Sequence, residues 1–282
     1  MAVSPFNEDS RAKLPAGTVS YLEHGAKSET LVVLLHGLGL DAHDYRTLLE
    51  SHPEQHAVAL TLQGFEPDRE TYARPVGLQV HAETVSDFLE YLHKEYPVKE
   101  IVLVGFSLGA DLILRLAELW DVEPDRSLRL HGAMLLDPNI NHSTMSISRL
   151  FATARRDNPL PALKQLVFDA PNMYWFNVIA DYAVKVGRKD FSHAQKLSAD
   201  MLEYWDPDGY DQIGTRLAAV ERHADIVRVV VSAPYREHLQ AIRDSVARHG
   251  AKSVDFAPTD LEHFDLIEEQ ELTGQLKQLL PA

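Results

Sequence analysis

Apolar and polar positions along this chain follow two rhythms. Short runs dense in Leu, Val and Ala recur: LVVLLHG at 31–37, HAVALTL at 56–62, IVLVG at 101–105, LRLHGAMLLD at 128–137, DIVRVVVSAP at 225–234 and AKSVDFAP at 251–258. Runs this short, flanked by Gly, Pro or Asp, predict strands. Residues 101–105 are apolar on both faces, as the middle of a parallel sheet requires. Between the runs the spacing becomes that of a helix face. Val85, Phe88, Leu89, Leu92 and Tyr96 mark one helix within 81–96, and Leu112, Ile113, Leu116, Leu119 and Trp120 another within 107–120. Further helices are predicted over 44–52, over 235–250 with Gly250 just past the end, and over 261–280.

Strand and helix in alternation predict a parallel α/β sheet with right-handed crossovers. Residues 140–222 break the alternation. They contain helical pieces punctuated by Pro159, Pro161, Pro171 and Pro207, and no convincing strand. A helical block inserted after a strand end predicts a cap over the sheet's C-terminal edge, where open α/β sheets hold ligands. The expected architecture is a mostly parallel central sheet flanked by helices. Residues 1–139 and 223–282 form its core, and 140–222 the inserted helical cap.

Composition narrows the function. The 282 residues suit one large domain or a domain with an insertion, and 45% hydrophobic content is enough to fill a core. A net charge of −15 opposes nucleic acid and anionic membrane surfaces as partners, because both attract cationic patches. There is no cysteine, so disulfides, thiolate nucleophiles and Cys-ligated metals are excluded. No apolar run approaches the ~20 residues of a membrane helix, and MAVSPFNEDSRAK lacks a signal-peptide core, so a cytoplasmic location is expected.

The chemistry concentrates where the strand at 101–105 meets the helix after it. Gly105-Phe106-Ser107-Leu108-Gly109 is a sharp strand-to-helix turn. Such a turn strains its central residue, and flanking glycines let backbones approach without a Cβ clash. Ser107 would then stand above the sheet at the positive end of a helix, as a nucleophile or, more plainly, as that helix's cap. His36-Gly37-Leu38-Gly39 closes the strand at 31–37. Acyl transfer needs donors aimed at a developing oxyanion, and the backbone N–H groups of Leu38 and Leu108 are the candidates.

With these two motifs and the late histidine in LEHFDLI, the chain resembles the α/β-hydrolase family from about residue 17 to residue 279. The resemblance implies the α/β-hydrolase fold and the chain order serine, acid, histidine. It implies His263, in the loop after the last strand, as general base. It offers two mounts for the acid. The usual one follows the strand ending VVVSAPYREH, where no Asp occurs, Tyr235 stands near the expected place and Glu237 comes slightly late. Some lipases and dehalogenases of the family use the preceding strand end, which here carries Asp137. A strand end followed by Pro138 is a stiffer mount than a helix's first turn, and Asn139, Asn141 and His142 follow as a polar cluster, so Asp137 is favoured over Glu237, with Asp260 behind both.

These residues imply a serine hydrolase that cleaves a carboxylic ester or thioester of a small acyl substrate through an acyl-enzyme, with no metal or organic cofactor. The family's scaffold also supports acyl transfer, cyclisation and C–C hydrolysis. The absence of an Asp after the 225–234 strand motivates a third reading, a ligand-binding or signalling protein with little turnover. Monomer and homodimer are both open. Three further features have two readings each. Asn172-Met173-Tyr174-Trp175-Phe176 could line a pocket or pack the cap. Asp41, His43, Asp44 and Tyr45 could reach substrate or cap the next helix, with Asp41 as N-cap. Glu237 and His238 are adjacent, which does not make a metal pair on a helix.

Overall fold

The computed structural model describes residues 7–25, 29–66, 74–96, 100–205 and 209–280. Pro207 and the first six residues, on which two expectations rest, lie outside the described residues. Eight strands form one sheet: β1 (Asn7–Leu14), β2 (Gly17–His24), β3 (Thr30–Leu35), β4 (Ala57–Thr61), β5 (Glu100–Phe106), β6 (Leu130–Leu136), β7 (Ala224–Val231) and β8 (Val254–Pro258). Their order is β1-β2-β4-β3-β5-β6-β7-β8. β2 runs antiparallel to both β1 and β4, and every other pairing is parallel. The mostly parallel sheet is the one the apolar runs predict. All six residues of β3 and all five of β4 are buried, because helices cover both faces there.

β1 and β2 were not legible as strands. NEDSRAKL and GTVSYLEH are polar, and they pair as an antiparallel hairpin at the sheet edge. β1 buries one face, through Ala12 and Leu14, and β2 buries Val19 and Tyr21 on one face but only Leu22 on the other. One-faced burial demands apolar residues at alternate positions only, and a short stretch of that kind is easily mistaken for a loop.

The flanking helices are α1 (Arg46–Ser51), α2 (Leu78–Glu95), α3 (Leu108–Val122), α4 (Ser146–Thr153), α5 (Leu160–Phe168), α6 (Met173–Gly187), α7 (Phe191–Tyr204), α8 (Asp211–His223), α9 (Leu239–Arg248) and α10 (Glu269–Leu276). α2 buries Phe88, Leu89 and Leu92 and packs on α3, where Trp120 Nε1 donates to Ser86 Oγ at 3.0 Å. Full burial of each such apolar side chain contributes roughly 1.5–3 kcal/mol, which holds the helix register. Three predicted helices each begin instead as a 3-10 turn: Ala42–Tyr45 before α1, Ala233–His238 before α9, and His263–Ile267 before α10. Pro234 opens the second of these, and reciprocal bonds between Glu262 and Asp265 close the first turn of the third. Gly250, at φ +82°, follows the end of α9. Between β6 and β7 the chain contains α4 to α8. α4 packs on α7 and α5 on α6, whereas α8 packs on α3 and α9.

Candidate active site

The site begins with β5. Its last residues are fully buried, and the chain turns at Ser107 into α3 with no intervening loop. That turn fixes Ser107 at φ 51°, ψ −113°, a conformation L-residues avoid. The glycines permit it by proximity. A Cβ on Gly105 would lie 2.3 Å from the Gly109 carbonyl oxygen, and a Cβ on Gly109 would lie 2.3 Å from that of Leu35. The strand, the turn and the helix are therefore in backbone contact. Ser107 N–H donates to the Leu136 carbonyl at 2.9 Å, which ties the turn to the end of β6. Ser107 makes no side-chain cap bond to α3, so the plain capping reading does not hold.

Asp137 ends β6 in the left-handed region at φ 44°, one of the few conformations of that kind an Asp tolerates. Its carboxylate is buried. Oδ1 accepts from Ser232 N–H at 2.7 Å, and Oδ2 faces His263 Nδ1 at 2.8 Å. A carboxylate only accepts, so Nδ1 carries the proton and Nε2 is left as the acceptor. Phe106 lies against the imidazole, ring centroids 4.6 Å apart. The structure thus joins Asp137 to His263, two residues 126 positions apart.

It does not join Glu237 or Asp260 to His263. The Glu237 side chain is 80% exposed and lies 3.7 Å from His238. Asp260 is 92% exposed and pairs with Arg236. His238 itself bonds the Tyr210 hydroxyl at 2.7 Å. Among the described residues no group of three His, Asp or Glu side chains is placed to share a metal ion.

Ser107, Asp137 and His263 line one cavity of about 540 Å³ over the C-terminal ends of β3, β5, β6 and β7. Leu38 lines it too. The N–H groups of Leu38 and Leu108 donate to no acceptor among the described residues. For Leu108 the cause is its place in the first turn of α3. His36 stands apart from this chemistry. Its Nε2 accepts from Leu62 N–H at 3.0 Å and its Nδ1–H donates to the Gly37 carbonyl at 2.8 Å. Burial pushes its pKa down to about 4, so it is a neutral pin for the HG loop.

The family model described as "Alpha/beta hydrolase family" matches residues 32–270. The chain belongs to the alpha/beta hydrolase family. Solved structures with this fold include a thermophilic esterase from Thermogutta terrifontis, 17% identical, TM-score 0.67, covering 97% of this chain and 99% of that one. An AqdC variant, solved for recognition and ring-cleavage of the Pseudomonas quinolone signal, is 18% identical with TM-score 0.71, covering 96% and 98%. MenH from S. aureus is 12% identical with TM-score 0.64, covering 93% and 98%. Identities this low establish the fold. None of the curated proteins matches the chain in sequence. No helix among the described residues is long and apolar enough to cross a membrane.

In this alpha/beta hydrolase the helices inserted after β6 reach the HG loop, a feature absent from the sequence reading. Tyr182 of α6 donates its hydroxyl to the Leu38 carbonyl at 2.9 Å. Lys189 donates to the Gly39 carbonyl at 2.7 Å and pairs with Asp41 at 2.8 Å. Asp41 also caps the following 3-10 turn, accepting from His43 N–H at 2.9 Å, which decides the reading of that segment. Trp175 lines the cavity while Met173, Tyr174 and Phe176 are exposed, so the aromatic stretch divides between both of its readings. Tyr174 donates to Asp265, in the turn that carries His263. No periodicity marks these contacts, since they join a lysine and two tyrosines to segments far away in sequence.

Proposed function

We propose that this protein is a serine hydrolase that cleaves a carboxylic ester or thioester. Ser107 is the nucleophile, His263 the general base and Asp137 the acid. As Ser107 Oγ attacks the acyl carbonyl, His263 Nε2 takes its proton. Asp137 holds the imidazole in the tautomer that leaves Nε2 free and stabilises the imidazolium that forms. The N–H groups of Leu38 and Leu108 receive the oxyanion. His263 returns the proton to the leaving group, and water repeats the attack on the acyl-enzyme. The helices α4 to α7 act as a cap that encloses the acyl group over the sheet's C-terminal edge.

The observation that carries this reading is the 2.8 Å contact between His263 Nδ1 and a buried Asp137, on the cavity that Ser107 also lines. The contact favours this reading over that of a ligand-binding protein with little turnover, which rests on the want of an acid after β7. The test is intact mass after treatment with a fluorophosphonate. Wild type is expected to gain one label rapidly, Ser107→Ala none, Asp137→Asn one slowly, and Glu237→Gln one at the wild-type rate. A folded wild type that takes no label overturns the proposal.

A further inference from the structure

Asp111, in the first turn of α3, is wholly buried and has no part in the chemistry proposed above. Both of its oxygens accept from Asn139. Oδ1 accepts from Asn139 N–H at 3.1 Å, and Oδ2 accepts from Asn139 Nδ2 at 2.5 Å and from Trp205 Nε1 at 3.5 Å. An ionised carboxylate accepts and never donates. The amide nitrogen of Asn139 must therefore face Asp111, and Oδ1 is the end turned away. The hydrogen bonds of Asn139 run through its two nitrogens and none through that oxygen, which is not among the fully buried unpaired atoms. Asn139 stands two positions past Asp137 and lines the same cavity. Among the described lining residues there is no Lys or Arg, and much of the rest of the wall is apolar, with Leu40, Met145, Ile147, Leu166 and Met201 among it.

The geometry points to Asn139 Oδ1 as a specificity contact, locked as an acceptor by Asp111, that reads an N–H or O–H donor on an otherwise apolar, uncharged substrate. This inference rests on the serine-hydrolase reading for its substrate and adds the class of acyl group. A wall built to accept a hydrogen bond discriminates strongly against an analogue without the donor, because the acceptor is then desolvated and left unpaired. An anionic acyl group finds no cation in the described wall and meets Asp169 and Asp137 instead.

The test uses p-nitrophenyl esters of 2-hydroxy and 3-hydroxy acids of about six carbons, each beside the ester in which methyl replaces the hydroxyl. Assays run at about pH 8.5, since burial pushes Asp111 up to about 7 and the carboxylate must be ionised. In wild type the kcat/KM ratio of hydroxy to methyl ester is expected to reach about tenfold or more for one hydroxyl position. Asn139→Ala should bring that ratio close to one. Asp111→Asn keeps the shape but frees the amide to turn, and should also collapse the ratio. A ratio taken within one variant cancels any general loss of activity, and the second variant serves if the first does not fold. Equal turnover within every pair by a labelled wild type overturns this inference and leaves the hydrolase reading standing. A ratio unchanged in Asn139→Ala overturns it likewise. Should wild type hydrolyse none of these esters, calorimetry on the matching amides decides the inference, while the fluorophosphonate label alone decides the hydrolase reading. Tighter binding of the hydroxy member, lost in Asn139→Ala, supports it, and equal binding refutes it.

Discussion

Lys189→Met probes the link between the inserted helices and the HG loop. The Lys189 side chain is 3% exposed, and its ammonium bonds the Gly39 carbonyl and Asp41, itself 10% exposed. Burial pushes the Asp41 pKa up, but the charge and hydrogen bond of Lys189 outweigh it and hold it down to about 2. Methionine preserves the stem and removes the charge. Breaking one side of a buried pair costs about 3–5 kcal/mol, because the remaining charge is left uncompensated. The unfolding entropy is about 2.1 cal/mol/K per residue, so for 282 residues this cost lowers Tm by about 5–8 °C. Calorimetry at neutral pH measures the loss. Asp41→Asn in the same background should restore part of it, and the double-mutant cycle gives the coupling. The pH dependence has a definite sign. Asp41 has a depressed folded pKa, so its contribution is full above about 4 and fades as pH falls through about 2. The Tm gap between wild type and Lys189→Met should narrow over that window. Because the lost bond holds Gly39, kcat for an ester should fall more than KM rises. A Tm loss under about 1 °C, with no coupling to Asp41, would refute the reasoning.

Three other outcomes follow from the same contacts. Asp137→Asn should keep the fold and lower kcat by about 10⁴-fold, since an amide at that place admits the wrong imidazole tautomer; steady-state kinetics beside a melting curve checks both. Gly109→Ala sets a Cβ 2.3 Å from the Leu35 carbonyl oxygen and should cost more than about 3 kcal/mol, read as loss of soluble protein or of the denaturation midpoint. Neither nitrogen of buried His81 has a partner among the described residues, and burial pushes its pKa down to about 3. The unfolded chain takes up this proton below about pH 6.5 and the folded one does not, so stability falls with pH by about 1.4 kcal/mol per unit for this group. His81→Leu should gain about 2 kcal/mol on wild type between pH 8 and pH 5, measured by urea unfolding, and an identical pH slope in both proteins would reject the assignment.

The strands β3 to β7 were readable because each buries an apolar run, and burial acts on neighbouring residues of the chain; β8, only partly buried, was readable from its place in the alternation of strand and helix. GFSLG was readable for a related reason: its strain and the close approach of Gly105 to Gly109 lie within five residues and one strand-to-helix turn, although the approach of Gly109 to Leu35 on β3 does not. The sequence alone therefore determined the sheet's parallel core, the turn at Ser107 and the loop that carries His263. It did not determine which carboxylate meets His263. That choice depends on which strand end lies beside the last loop, and β6, β7 and β8 are brought side by side by the whole sheet. Only the tertiary structure set Asp137 against His263 and left Glu237 in solvent. The same holds for Asp111 on Asn139 and for Tyr182 and Lys189 on the HG loop. Each joins side chains far apart along the chain, and hydrophobic periodicity carries no record of a polar bond between distant residues.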